Sequence, residues 1–416
     1  MRPGPEQQTR IWTRDFVLVT VVNLLVMLAF FVLVITMAAY AADRFAASDS
    51  GAGLASSSVI IGALVARPFT GRYLERIGRR RVLLGSLVLF AIVSPLYLVA
   101  SSLTLLILVR LLHGMAFGAL NTAISTSVMG LVPPLRRAEG VGYFTLSGTL
   151  ATAVAPFVAL GVLGSWDHDV LFVVCTALAV VALVLAGLLR LPAVGRPGAG
   201  QESGRRSGLA GFIEPTVLPI ASVMLVVGVA FSGVMTYVPL YATQLDLVAA
   251  GGMFFFVYSM AILVTRPFVG RLHDVRGDNA VVYPALGAFA IGLGLLSVAT
   301  SSLVLLLAAG FVGFGMGTLM AAAQVIAVSV APAHHVGLAT STFFVMLDLG
   351  SGGGPLLLGL MIAAAGFDGM YQVLAVVVAL SAGLYHLTHG RRRRGVRDDV
   401  RRALEEDDGE PVAVPA

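Results

Sequence analysis

Arg67-Pro-Phe-Thr-Gly-Arg72 returns as Arg266-Pro-Phe-Val-Gly-Arg271, an offset of 199 residues. The same offset carries Gly78 to Gly277, Pro133 to Pro332 and Pro156 to Pro355. One spacing that holds across so many positions describes a doubled unit, not two unrelated halves. Both halves consist largely of apolar runs too long for the helices of a soluble core. The chain reads as an all-α membrane protein built twice over, and its site is expected where the two copies meet.

The 416 residues are 58% hydrophobic and 12% charged, with a mean hydropathy of +0.93. Soluble chains carry about 25% charged residues, so lipid must be the solvent for most of this surface. The length accommodates twelve transmembrane helices of about 20 residues and leaves no room for a sizeable soluble domain. Spans are expected near 16–41, 53–71, 82–100, 103–131, 140–163, 169–189, 216–242, 249–269, 281–299, 303–331, 337–364 and 369–388. Backbone polar groups in hydrocarbon must be satisfied within their own segment, so each run should be helical.

All 27 basic residues are arginine, and their placement sets the orientation. With the amino terminus inside, the inner connections hold Arg72, Arg76, Arg79, Arg80, Arg81, Arg136, Arg137, Arg190, Arg196, Arg205, Arg206, Arg271 and Arg276. The outer connections hold only Arg44. This asymmetry predicts a multi-pass protein of the cytoplasmic (inner) membrane with both termini in the cytoplasm. It also accounts for the net charge of +5 without nucleic acid as a partner. The expected organisation is a cytoplasmic amino terminus (1–15), a six-helix bundle (16–189), a Gly/Pro/Ser/Arg-rich linker (190–215), a second pseudo-symmetric six-helix bundle (216–388) and a disordered tail (389–416). The run Arg391–Arg394 serves as a topology anchor or contacts lipid headgroups. The first apolar run is too long for a signal-peptide core and is read as a retained span. The single cysteine, Cys175, cannot form an internal disulfide, so packing alone must hold the fold.

Enzymatic chemistry finds no support. A phosphate-binding loop of the G-x-x-x-x-G-K-[ST] type cannot exist in a chain without lysine. His334-His335 and His386-x-x-His389 fall short of a metal-site ligand count and read as loop polarity, so neither metal nor cofactor is expected.

The stretch Gly71-Arg-Tyr-Leu-Glu75-Arg76-Ile-Gly78-Arg79-Arg80-Arg81 resembles the loop motif G-x-x-x-D-R-x-G-R-[RK] between helices 2 and 3 of the major facilitator superfamily, with glutamate in place of the usual aspartate. Gly270-Arg-Leu-His-Asp274-Val-Arg276-Gly277 is a degraded second copy. Arg110-Leu-Leu-His113-Gly114-Met-Ala-Phe-Gly118 is similar to the arginine-and-glycine motif of proton-coupled members. Gly350-x-x-x-Gly354-Pro355-x-x-x-Gly359 is similar to the glycine-proline signature of drug/proton antiporters. The resemblance implies an exporter of the arabinose-efflux or drug-exporter kind. It also implies that Gly71, Glu75, Arg76, Gly78, Arg79 and Asp274 form a latch between the two halves, where a carboxylate pairs with arginine or caps a neighbouring helix.

A charge at mid-depth costs about 2.5–3.5 kcal/mol on insertion scales, so it should face a cavity or a partner. Asp348 is the deepest acid: it could exchange a proton as the cavity alternates, or be permanently paired. Arg110 could bind an anion, tune a nearby acid or form a structural pair. His113 shares its helix face and could relay protons or simply pack. Arg67 and Arg266 could snorkel to the headgroups. Asn23, Asn121, Tyr237 and Gln324 supply sparse uncharged polarity, and Phe343 and Phe344 supply apolar surface beside Asp348. So apolar a cavity suits a lipophilic or amphipathic solute better than a free sugar. The expectation is a monomeric, proton-coupled exporter of a small molecule working by alternating access among membrane lipids, with protons as the co-substrate. Proton-coupled uptake, a non-transporting receptor or scaffold, and a channel are the alternatives.

Overall fold

The structure is a computed structural model, and it describes residues 10–191 and 211–391. The readings of residues 1–9, of most of the linker and of the tail beyond Arg391 lie outside the described residues.

The apolar runs are helices: α1 (Arg14–Phe45), α2 (Asp49–Ile77), α3 (Arg79–Val93), α4 (Leu103–Leu131), α5 (Arg137–Leu163), α6 (His168–Gly187), α7 (Leu218–Gln244), α8 (Val248–Arg276), α9 (Asn279–Ser297), α10 (Ser302–Ser329) and α11 (Val336–Tyr385). Local signals set their ends. Ser102 and Ser301 cap α4 and α10, each accepting from a backbone N–H of the first turn. Gly78 (φ 98°) and Gly277 (φ 82°) end α2 and α8 in a backbone conformation that disfavours side chains. Both pairs stand at the repeat offset. Adding 199 to the bounds of α2 gives those of α8, so the doubling read in the sequence is a doubling of helices.

The count differs from the twelve expected spans. Eleven helices among the described residues are long and apolar enough to cross a membrane. The last two expected spans run together in α11, which leaves helical geometry at Gly366 (φ 70°). No polar connection separates them, so one glycine does the turning. At the repeat offset, α5 corresponds to the arm of α11 before Gly366 and α6 to the arm after it. A second difference concerns the motifs. Residues 71–77 and 270–276 form the closing turns of α2 and α8, and only Gly78 on one side and Gly277-Asp278 on the other interrupt the helices.

Two large hydrophobic cores form, one from residues between Ile11 and Leu189, the other from residues between Val217 and Tyr385. A small third cluster joins them, with Met129, Ala138 and Val141 meeting Ala321, Val325 and Val328. Within each half, helices approach to backbone contact. A Cβ on Gly114 of α4 would collide with the Val59 backbone of α2, and one on its repeat partner Gly313 of α10 would collide with the Tyr258 backbone of α8. Large apolar side chains point outward, Leu356 being 77% exposed, as a lipid-facing surface requires.

The arginines of 72–81, 136–137 and 271–276 gather at one end of the molecule, the basic end. Contacts between the halves run from mid-depth to that end. On one side α2 meets α11: Gly352 lies against Ile60, Arg67 against Asp348, Gly71 against Ser341 and Leu74 against Gly337. On the other side α8 meets α5: Arg266 lies against Gly142, Gly270 against Glu139 and Asp274 against Ala138.

Candidate functional site

Arg67 stands ten residues before the end of α2, about 15 Å from the basic end at the helical rise. It is 3% exposed and does not snorkel. Its Nε donates to Asp348 Oδ2 at 2.7 Å, across the boundary between the halves and 281 residues away in sequence. Its Nη1 donates to Asn121 Oδ1 at 3.0 Å and to Thr122 Oγ1 at 3.4 Å, both on α4. The Phe344 ring lies under the guanidinium at 4.6 Å. The Arg67 carbonyl accepts from Ser341 Oγ at 2.7 Å. Snorkelling loses because a carboxylate, an amide and a ring are all within reach at the residue's own depth.

Asp348 lies twelve residues into α11, and 18% of its side-chain surface is open. The pair is therefore buried but not sealed. Removing one partner of such a pair strands the other charge and costs about 3–5 kcal/mol, whereas neutralising Asp348 with a proton leaves Arg67 its amide, hydroxyl and ring. Protonation of Asp348 leaves the Arg67 guanidinium charged among neutral partners, so opening the pair is favourable only where water reaches it.

The structure brings together Asp348, Asn121 and Phe344 around Arg67, for which the sequence suggests snorkelling. Phe343 turns into the core of its own half. Arg110 is 0% exposed, and its Nε and Nη2 donate to the carbonyls of Ala55 and Ser56, tying α4 to α2. His113 bonds the Tyr97 hydroxyl at 2.9 Å and stacks near Phe90. These bonds lie inside the amino-terminal half, and neither residue bonds Asp348. Asn23 donates to Ser147 Oγ at 2.8 Å, joining α1 to α5, while its Oδ1 finds no partner among the described residues. Tyr237 donates its hydroxyl to the Pro355 carbonyl at 2.7 Å. Gln324 is buried on α10 with its Nε2 unpartnered among the described residues.

The latch residues divide unequally. Glu75 bonds Arg79, with Oε1 2.8 Å from Nη2, and Arg79 also donates to the Thr126 carbonyl. That carboxylate stays within its own half. Asp274, its counterpart at the repeat offset, crosses to the other half. Its two carboxylate oxygens accept from the backbone N–H groups of Ala138 and Glu139, each at 2.9 Å, and cap the amino terminus of α5. Glu139 itself holds Arg136 at 2.7 Å and Arg271 of the other half at 3.4 Å. Gly71 lets α2 and α11 close, since a Cβ there would strike Ser341 and lie 3.0 Å from the Gly337 carbonyl. Gly78 turns the chain from α2 into α3, and Arg76 lies in the last turn of α2. Four residues on, Glu75 has its partner Arg79, whereas Asp274 has Asp278 and no arginine.

Two of the four histidines singled out by sequence, His335 and His389, pair with carboxylates. His273 and His389 each bring Nε2 to Asp278, at 2.7 and 2.8 Å, and His335 brings Nδ1 to Glu214 at 2.6 Å. Among the described residues no cluster of three His, Cys, Asp or Glu side chains is placed to hold a metal. Arg67, Glu139 and Arg271 were the partners that sequence reading missed. The signal for Arg67 was present, because an arginine at that depth requires a partner.

A family model described as Major Facilitator Superfamily matches residues 19–282 and again residues 248–406. The staphylopine export protein of Staphylococcus aureus is 21% identical over 347 residues, covering 80% of this chain and 85% of that protein. Multidrug resistance protein MdtG of Enterobacter lignolyticus is 25% identical over 363 residues, covering 86% of each. The crystal structure of the human organic anion transporter MFSD10 superposes with a TM-score of 0.75 at 17% identity, over 92% of this chain and 100% of that one. The fucose:proton symporter FucP of E. coli superposes with a TM-score of 0.72 at 16% identity, over 91% of this chain and 99% of that one. At these identities the two structures show a shared fold and nothing about substrate.

Proposed function

This chain belongs to the Major Facilitator Superfamily, and from that premise we propose that it is a proton-coupled exporter of a small amphipathic solute. It is a transporter and not an enzyme. The observation that carries the reading is the Arg67–Asp348 pair, set at mid-depth between the halves with 18% of the Asp348 side-chain surface exposed. The export relatives support the direction. We count the two arms of α11 as separate spans, which gives twelve helices in bundles 16–189 and 216–388. The basic end faces the cytoplasm of a bacterial inner membrane, both termini lie inside, and one chain is the working unit.

In the proposed cycle the halves are closed at the cytoplasmic end and joined by the ion pair. A proton arriving from outside neutralises Asp348 and releases Arg67. The cytoplasmic contacts then carry the closed state alone, and the halves part on that side. Solute enters from the cytoplasm as the proton leaves inward. The pair reforms, the cytoplasmic end closes again and solute departs outward. Arg110 and His113 act as the internal strut of the first half in this scheme.

The test uses everted membrane vesicles acidified inside, with ethidium and naphthalene-1-sulfonate as probes. Accumulation driven by the pH gradient is expected for the natural chain and is abolished in Asp348→Asn. Undiminished accumulation in that variant removes Asp348 from the coupling. Loss of probe from the vesicles under the same gradient indicates proton-coupled uptake in the cell instead.

A further inference from the structure

Arg266 is the repeat partner of Arg67, and the repeat has taken away its companions. Asp348 corresponds to Thr149, Asn121 to Met320 and Thr122 to Ala321. Arg266 is nevertheless 5% exposed, ten residues before the end of α8 and so as deep as Arg67. It lies where α5, α8 and α10 meet. Gly142 of α5 leaves room for its stem, a Cβ there lying 3.3 Å from Arg266 Cδ. Nη1 donates to the Gly317 carbonyl at 2.8 Å, and Nε has no partner among the described residues. No carboxylate pairs with it among the described residues. Glu139, one turn nearer the basic end across the α5–α8 contact, is committed to Arg136 and Arg271.

A second buried donor lies within a turn of the same level. Gly313 and Gly317 of α10 pack on Tyr258 and Ile262 of α8; continued by four residues, that register brings Ala321 level with Arg266, and Gln324 follows three residues later on α10. Gln324 is 2% exposed, and its Nε2 is also unpartnered among the described residues. Buried donors left open are rare, and a full cation at mid-depth without an acid is costly. Arg266 Nε and Gln324 Nε2, each without an acceptor among the described residues, share one need that an anion with at least two oxygens would meet.

We propose that Arg266 and Gln324 bind the anionic group of the exported solute, a single carboxylate or sulfonate on an apolar body. The inference rests on the export reading above, whose proton site it leaves at Asp348. The two arginines then divide the work. Arg67 is neutralised from within by Asp348 and serves the proton. Arg266 is neutralised from without and serves the solute.

The test is thermal unfolding of the purified chain in maltoside detergent with naphthalene-1-sulfonate, against neutral 1-naphthalenemethanol of the same aromatic frame. The sulfonate is expected to raise the unfolding midpoint saturably, and the alcohol to need at least tenfold more. Arg266→Gln is expected to weaken the sulfonate at least tenfold. Arg266→Lys retains part of the affinity, and Gln324→Leu weakens it several-fold, so the proposal stays testable where the glutamine variant does not fold. Equal response to sulfonate and alcohol overturns the proposal, as does full sulfonate affinity in Arg266→Gln. Stabilisation by phosphatidylglycerol but not by the sulfonate also overturns it, because the anion would then be a lipid headgroup. Sulfonate binding through Arg266 without pH-driven movement in vesicles would defeat the export reading and leave the site standing. Movement of ethidium that is untouched by Arg266→Gln, with no sulfonate binding, would do the reverse.

Discussion

Replacing Asp274 with alanine separates the two copies of the latch. Asp274 caps α5 of the other half through two backbone N–H groups at 2.9 Å each. Loss of an N-cap costs about 0.5–2 kcal/mol, and loss of a negative charge at a helix amino terminus about 0.3–1 kcal/mol. Asp274 is only partly buried, so solvent screens some of that gain, and about 1–2 kcal/mol is the reasoned total. The bonds exist only while α8 abuts α5, so the whole amount bears on the closed basic end. The odds of the open form should rise by a factor of about 5–30. Glu75→Ala is the matched control. It breaks a pair with Arg79 inside one half, so it should lower the thermal midpoint without moving the conformational balance. Spin labels at Ile77→Cys and Ser329→Cys report the distance between the halves by pulsed electron resonance. The single native cysteine, Cys175, is buried and takes no label. Asp274→Ala should enlarge the long-distance population and Glu75→Ala should not. An unchanged distribution in Asp274→Ala, or a larger shift in Glu75→Ala, refutes the reasoning.

Two further outcomes follow from the geometry. Gly71→Ala places a methyl group against Ser341 and the Gly337 carbonyl, so α2 and α11 should no longer close fully; the same labels should show broadened, longer distances, while Gly85→Ala, where a Cβ meets nothing within 4 Å, should leave them unchanged. Asp278, in the turn between α8 and α9, supplies a pH dependence. Burial raises its carboxyl, but hydrogen bonds and charge from His273 and His389 outweigh this and hold it well below the usual carboxylate range. A depressed carboxylate stabilises the fold above its unfolded value near pH 4 and loses that contribution as pH falls through the folded value. The thermal midpoint should therefore drop below about pH 4, and Asp278→Asn should flatten that drop. An identical acid limb in the variant would show that Asp278 carries none of it.

The identity of the site was partly written in the chain. Asp348 could be singled out because a carboxylate at that depth has few inexpensive explanations, and it stands at the boundary between the halves. For Arg67 the sequence favours snorkelling, because its distance from the helix end permits that and nothing in the chain shows what waits at its own depth. Arg110 and His113 carry a recognisable motif, yet their bonds turn inward to Ala55, Ser56 and Tyr97. A motif records which residue types recur together and is silent about which way a helix is rotated. The count of helices failed at one place only, where Gly366 alone separates two apolar arms.

Hydropathy, the offset of 199 and the arginine placement determined without coordinates that this is a doubled bundle of membrane helices, because burial in lipid constrains each segment by itself. Which residues meet across the halves was decided by tertiary structure alone. Arg67 finds Asp348 from 281 residues away, and Asp274 bridges where Glu75 does not. Those outcomes depend on the rotation and register of helices packed against each other, and a helix carries its own period but not its neighbour's phase.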